Sequence, residues 1–359
     1  MTSNILKPDL IWIEGRCYRS NDPVAELNTY QESNLYENET IYHDEDEYED
    51  CEDIEIVTHD DSRFSTSVHV SKHYIGSIIG KKGYTKSRIE HETKTEIKIP
   101  RQGQAGDVTI FGSSASNVRA ARRRLDMIVM SSRMKQKPTH FISIPMINAE
   151  IISNFTRFQE SILRDCPGRG LEESIFMRPK KLHLTLGVMC LMDNEERMLA
   201  SKILTEAKEK VIMPLLQRHL PLKIRMKGLS YMNDDPRDIN VLYAKVEECD
   251  STPGILQQLA DGIADYFYKE GLMNNEHGRQ NVKLHVTLIN SKYRNQPSNQ
   301  DVRAEKNNTR ESFDGSEILE RFANFEFGVM ELRDIHLSQR HALGPDGYYQ
   351  PTFVLSCTM

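Results

Sequence analysis

Hydrophobic and polar positions along this chain follow two rhythms that keep changing places. T-S-V-H-V (66–70) alternates like a strand with one buried face. S-K-H-Y-I-G-S-I-I-G (71–80) then spaces its apolar residues for a short helix that stops on Gly80. After G-K-K-G comes a second helix, Y-T-K-S-R-I-E-H-E-T (84–93). Two strands follow, T-E-I-K-I-P (95–100) and D-V-T-I-F-G (107–112), separated by the glycine-rich R-Q-G-Q-A-G. Ser114 is a cap candidate for a third helix running through Met130. The predicted order is β-α-α-β-β-α over residues 57–137, the size of one small domain.

Pro138 marks a boundary, and residues 138–359 form the next predicted domain. T-H-F-I-S-I-P is a strand, and N-A-E-I-I-S-N-F-T-R-F-Q-E-S-I-L-R-D-C an amphipathic helix. A loop leads into the strand K-L-H-L-T-L (181–186), and a helix covers roughly 194–215. L-K-I-R-M-K-G-L and V-L-Y-A-K-V are strands, and a helix from about 253 to 270 precedes K-L-H-V-T-L (283–288). Residues 291–311 are polar and expected to be a mobile loop; F-E-F-G-V-M-E-L and I-H-L-S close the chain as strands. Each of the two near-identical hexapeptides sits on a strand that follows a helix, so the expected fold is α+β with an internally duplicated, two-lobed second domain.

Length and composition leave this picture standing. The 359 residues suffice for two compact domains, and 38% hydrophobic content supports real cores. No run of eighteen apolar residues appears, so no membrane span is expected. The start, M-T-S-N-I-L-K-P-D-L, lacks the basic-then-apolar layout of a secretory leader. Six cysteines stand far apart with no metal-ligand spacing, which predicts reduced thiols and no structural zinc.

Charge adds organisation that the net value of −7 hides. Residues 1–60 hold 3 Lys/Arg against 17 Asp/Glu, whereas residues 61–137 hold 16 against 6. In D-E-D-E-Y-E-D-C-E-D-I-E (44–55) nine of twelve residues are acidic, a density that self-repels and buries little. Residues 1–56 are therefore expected to be largely disordered, with D-L-I-W-I-E as one strand able to dock a partner. The basic segment is the surface a polyanion would find.

The repeated hexapeptide asks for a chemical reason. His-x-Ser/Thr alone is weak, since five of the twelve histidines begin one: His69, His91, His183, His285 and His336. Only two carry the frame of Lys-Leu before and Leu after. Strand alternation puts Lys181, His183 and Thr185 on one face and Leu182, Leu184 and Leu186 on the other; Lys283, His285 and Thr287 repeat this. If the lobes pair about a pseudo-twofold axis, the polar faces meet across a groove. One imidazole can then act as base on the attacking oxygen while the other, protonated, acts as acid to the leaving oxygen. Threonine hydroxyls can donate to phosphate oxygens, so neither a metal nor another cofactor is required. Any single H-x-T is most simply a half-buried structural histidine; the matched pair on matched strands favours chemistry. His336 and Ser338, a rival pair, read as groove wall.

These strands resemble the two-histidine phosphoesterase superfamily, whose members process 2′,3′-cyclic phosphates or related RNA-end linkages. Over residues 138–359 the resemblance implies His183 and His285 as the catalytic pair, with Thr185 and Thr287 as phosphate-binding companions. Lys181, Lys283 and Arg340 are further candidate phosphate contacts, the lysines on strand geometry alone. I-G-S-I-I-G-K-K-G-Y (75–84) is similar to the Gly-x-x-Gly loop of a type I KH domain, making Gly80, Lys81, Lys82 and Gly83 the candidate contacts to single-stranded RNA or DNA. The R-A-A-R-R-R cluster (119–124) either extends that contact or is a solvated helix face. A KH module followed directly by such a phosphoesterase is a narrow combination, and Y-M-N-D-D-P, E-S-F-D-G and I-H-L-S-Q-R carry the likeness further. It implies a mainly nuclear protein, with the cytoplasm as second location, in a transcription-coactivator and alkylation-damage-response complex. A helicase and other subunits would be its partners, through the N-terminal segment. Three functions stay open at this point: a phosphodiesterase, a non-catalytic reader of RNA ends or nucleotides, or a pure scaffold in which the loop and the histidine pair are both idle.

Overall fold

The structure, a computed structural model, describes residues 9–13, 16–20, 54–59, 63–101, 106–217, 219, 221–232, 234–249, 254–273, 281–294 and 310–358. The chain forms two compact units, Met1–Ile54 and Glu55–Met359. In the first, β1 (Asp9–Ile13) pairs antiparallel with β2 (Arg16–Ser20). The expected strand over Leu10–Ile13 is thus half of a hairpin whose second strand carries no clear alternation. The acidic run over 44–53 and the polar loop over 295–309 lie outside the described residues.

The second unit opens with a small antiparallel sheet in the order β3-β4-β6-β5: β3 (Val57–Thr58), β4 (Phe64–Val68), β5 (Thr95–Lys98) and β6 (Val108–Gly112). Helices α1 (Lys72–Ile79), α2 (Tyr84–Thr93) and α3 (Ala115–Met134) complete the order read from the sequence, and β3 adds an edge strand. β4 lies two residues earlier than its alternation suggested. Val108 and Ile110 point inward from β6, and Val118, Ala121 and Leu125 follow at helical spacing on α3. The Ser114 hydroxyl accepts from Asn117 N at 3.2 Å, which caps α3. That helix runs to Met134, one turn past its expected end, and the extra turn carries Arg133.

Eight strands make the large sheet: β7 (His140–Pro145), β8 (His183–Met189), β9 (Lys223–Tyr231), β10 (Val241–Glu248), β11 (His285–Asn290), β12 (Glu326–Glu331), β13 (Asp334–Leu343) and β14 (Tyr349–Ser356). Their order is β12-β9-β10-β11-β8-β7-β13-β14, so β11 and β8 meet at the centre with three strands beyond each. Helix α4 (Ala149–Asp165) buries Ile151, Phe155, Phe158 and Ile162 along one stripe. Each such aromatic contributes roughly 1.5–3 kcal/mol by leaving water. Its cap, Asn148, accepts from Ile151 N at 2.8 Å. The expected helix over 194–215 is α5 (Asn194–Ala207), a π-helical turn over Lys208–Ile212, then α6 (Met213–Leu216). Helix α7 (Ile255–Lys269) matches its apolar pattern, and α8 (Ser316–Phe322) and β14 were not foreseen. In β14 the reason is Pro351, which argues against a strand except at a sheet edge, and β14 is an edge.

The two sheets belong to one compact unit, joined through α3 and α5. Arg133, with its side chain 13% exposed, donates to Glu196 at 2.5 Å and to the Gly271 carbonyl at 2.6 Å, and lies over the Tyr74 ring. Glu196, 5% exposed, also accepts from Met192 N at 2.7 Å. His69 meets Asp193, the cap of α5, at 3.0 Å.

Candidate active site and nucleic-acid loop

Both hexapeptides place their leucine face in the core. Leu182, Leu184, Leu186, Val286 and Leu288 are at most 2% exposed, whereas His183, Thr185, His285 and Thr287 are half-buried on the other face. β8 and β11 are neighbours paired at Val286↔Leu184. Continuing that antiparallel pairing one residue each way sets His183 across from Thr287 and His285 across from Thr185. The four candidate residues therefore share one patch at the centre of the sheet.

The lysines do something other than line up with the histidines. Lys181 ends a 3₁₀ turn over Pro179–Lys181, and Lys283 also precedes its strand, so each lysine stands just ahead of the strand that carries its histidine and threonine. The lysine carbonyls take the contact. His183 Nδ1 lies 2.7 Å from Lys181 O, and His285 Nδ1 lies 2.7 Å from Lys283 O. A carbonyl only accepts, so both Nδ1 atoms carry a proton and both Nε2 atoms carry the lone pair in the neutral ring. The ammonium groups lie over tyrosines: Lys181 Nζ is 5.1 Å from the Tyr349 ring centroid and Lys283 Nζ 4.6 Å from that of Tyr243. The same tyrosines meet the imidazoles edge to face, Tyr349–His183 at 5.3 Å and Tyr243–His285 at 5.4 Å. One histidine-lysine-tyrosine arrangement is thus built twice. Tyr243 and Tyr349 were missed by the sequence reading, because their place depends on strand pairing; Tyr243 stands opposite Thr287.

The two halves differ in electrostatics. Burial pushes the His183 imidazole down to about 4. The hydrogen bond to the Lys181 carbonyl works against this, while positive charge on His285 and Lys181 works with it. Phe141, at 5.0 Å between ring centroids, helps enclose this ring. Burial, with Arg178 nearby, also lowers Lys181. On the other side burial raises Tyr243, but hydrogen bonds to Ser230 and Lys283 and the charges of Lys283 and Lys245 outweigh it, so the phenol is lowered overall. Tyr349 is pushed up to about 12 by burial and then by Tyr293, with Arg340 opposing. Arg340 is exposed and its charge reaches both Tyr349 and Tyr293, which puts it on the His183 side.

His336 and Ser338 do not wall the groove. Tyr348 stands between, its ring edge-on to both Tyr349 and His336 and its hydroxyl 3.0 Å from Ser143 Oγ. His336 opens instead on a separate cavity of about 610 Å³ with Lys223, Asp334 and Asp346, and Ser338 is fully buried.

In the small sheet's helical layer, G-K-K-G makes a tight connection from α1 to α2. Gly80 has φ +70°, and a Cβ there would lie 2.1 Å from Thr85 Oγ1. Lys82 (φ +53°) and Gly83 (φ +84°) are also left-handed, and both lysines are exposed. Gly83 caps α2 without a side-chain acceptor, so the first amides of a ten-residue helix open beside the two lysines. In R-A-A-R-R-R, Arg122 pairs with Asp126 and Arg124 with Glu92, which fits a solvated helix face.

Known proteins match the same two regions. Residues 138–356 match the family described as the AKAP7 2'5' RNA ligase-like domain, and residues 65–126 match the KH domain. The mouse (Mus musculus) protein "Activating signal cointegrator 1 complex subunit 1" is 38% identical over 355 residues, covering 96% of this chain and 97% of its own. Among solved structures, the first KH type I domain of human vigilin is 25% identical with TM-score 0.21, covering 24% of this chain and 93% of its own. E. coli LigT complexed with NADP+ is 16% identical with TM-score 0.33, covering 62% and 98%.

Proposed function

This chain belongs to the family of activating signal cointegrator 1 complex subunit 1, which joins a KH domain to a 2'5' RNA ligase-like domain, and from that premise we propose that it binds single-stranded RNA and opens a phosphoester at or near an RNA end. The observation that carries this reading is the twin lock: two imidazoles on paired strands, each held through Nδ1 by a carbonyl at 2.7 Å. Locking Nδ1 orients Nε2 as the working nitrogen on both rings, as a general acid-base pair requires.

On a 2′,3′-cyclic phosphate the steps are these. His183, held neutral at pH 7 by burial, takes a proton from water at Nε2 as the water oxygen attacks phosphorus. His285 takes the complementary role of acid and gives an Nε2 proton to the leaving 2′ or 3′ oxygen. Thr185 and Thr287 donate hydroxyls to the non-bridging oxygens, and Lys181, Lys283 and Arg340 supply positive charge around them. Both proton transfers come from the two rings, so the reaction is metal-independent. The KH loop, with Gly80, Lys81, Lys82 and Gly83, holds the strand whose end is processed. The protein acts as a subunit of the activating signal cointegrator complex, in transcription coactivation and the alkylation-damage response, with a helicase subunit bound through the N-terminal segment. Its location is nuclear, with the cytoplasm as second location.

The test is an RNA oligonucleotide ending in a 2′,3′-cyclic phosphate, incubated with the protein in EDTA and resolved by mass. Gain of one water with wild type, absent with His183→Ala while RNA affinity is kept, is the expected result. Full turnover by His183→Ala would overturn the mechanism. Tight binding without conversion by wild type would leave the groove a reader of RNA ends.

A further inference from the structure

The strand pair that carries the histidines is closed at one end and open at the other. Beyond Thr287, β11 is bridged to the segment before β8: Phe176 pairs with Ile289, and Met177 N donates to Leu288 O at 2.8 Å. Beyond His285 in the opposite direction, β11 and β8 diverge and leave a cleft of about 280 Å³. Thr185, Lys283 and His285 line it together with Asp261, Asp265 and Tyr268 of α7 and with Met130, Arg133 and Met134 at the end of α3 in the KH domain. A nucleotide whose phosphate lies against His285 and Thr185 can place its base in this cleft, which the same two residues line.

The lining fits a base better than a phosphate. Met130 and Met134 from α3 and Met189 and Met273 from the large domain are thioethers, which adapt to flat aromatic faces. Tyr268, 43% exposed, adds an aromatic face. Besides Lys283 and His285 the charged lining is Asp261 and Asp265, which repel phosphate, and Arg133, which is already turned to Glu196 and the Gly271 carbonyl. Asp265 is exposed and can accept from an exocyclic amine. The volume sits just under the range of about 300–1,000 Å³ typical of small-molecule sites, room for one ring system.

We propose that this cleft is a nucleobase subsite, holding the base of the nucleotide whose phosphate lies between the histidines, with the KH domain supplying one wall. The inference rests on the phosphoester-binding groove proposed above. It makes the KH domain part of substrate selection in addition to being a tether for RNA.

The test compares adenosine 3′-monophosphate with the same sugar phosphate lacking a base, by calorimetry on the full chain. The base should tighten binding by about 10-fold or more. Met134→Trp, at an exposed position, fills the cleft from the KH side and should cancel that advantage while leaving the base-free ligand unaffected. Tyr268→Ala should reduce the advantage. In parallel, photolabelling wild type with the 8-azido analogue should mark peptides from 130–134 or 261–273, a readout independent of how the variants fold. A base advantage untouched by both variants, or label found only elsewhere, overturns the subsite while the groove stands. Binding of neither ligand to wild type overturns the groove itself, and the subsite with it.

Discussion

His183 should titrate far below an ordinary histidine, and this can be read without any substrate. Its ring is enclosed by Phe141 at 5.0 Å and Tyr349 at 5.3 Å, and its Nδ1 proton is committed to the Lys181 carbonyl. Burial disfavours the charged ring and brings the midpoint from 6.5 to about 4. At pH 6 about 1% of His183 would then be protonated, against about three quarters of an unperturbed imidazole. The unfolded chain binds the extra proton between about pH 4 and 6.5, so stability rises with pH across that window. The contribution is complete above about 6.5 and is lost as pH falls toward 4, about 3 kcal/mol in all. Proton NMR of the ring Cε1–H, assigned by its disappearance in His183→Gln, measures the midpoint directly. Tyr349→Ala opens one side of the ring and should move the midpoint back toward 6.5. A midpoint at 6 or above in wild type, or no movement in Tyr349→Ala, would refute the argument from burial.

Three more predictions concern the frame around the site. Glu196→Ala leaves Arg133 buried without its ion-pair partner; it should cost about 3–5 kcal/mol in urea unfolding, with Arg133→Met/Glu196→Met recovering most of it, and a single-variant loss under about 1 kcal/mol would contradict a buried pair. Gly80→Ala meets both a positive φ and Thr85 Oγ1, whereas Gly83→Ala meets a positive φ in open space, so calorimetric melting should fall further for Gly80→Ala; equal losses would count against the close approach. Lys81→Ala/Lys82→Ala should flatten the dependence of log affinity on log salt by about 0.7 per lost phosphate contact on single-stranded RNA, and an unchanged slope would remove the loop from the phosphate path.

Local pattern was enough for much of this protein. Leu184 and Val286 had to point away from His183 and His285 because a strand alternates faces, and only one face of each strand is apolar. Gly80 and Gly83 announced a turn between two helices because positive φ is cheap only for glycine, and the flanking Ile78 and Ile89 had a core to enter. The same reasoning failed where local and distant requirements part. Pro351 fits a strand only at a sheet edge, a place that strand order assigns, and Lys181 looked like a strand residue until Pro179 turned the chain ahead of it.

What the chain by itself determined is which residues are paired in kind: two histidines, two threonines and two lysines in matching frames, and a glycine-lysine loop beside them. Tertiary structure alone decided who touches whom. Strand order brought β11 against β8, pairing put Tyr243 opposite Thr287 and Tyr349 edge-on to His183, and the last turn of α3 carried Arg133 to a glutamate 63 residues away. Alternation and turn chemistry act over a few residues and so are written locally. Sheet order, register and buried ion pairs depend on which distant surfaces can be removed from water together, and no single stretch of sequence carries that information.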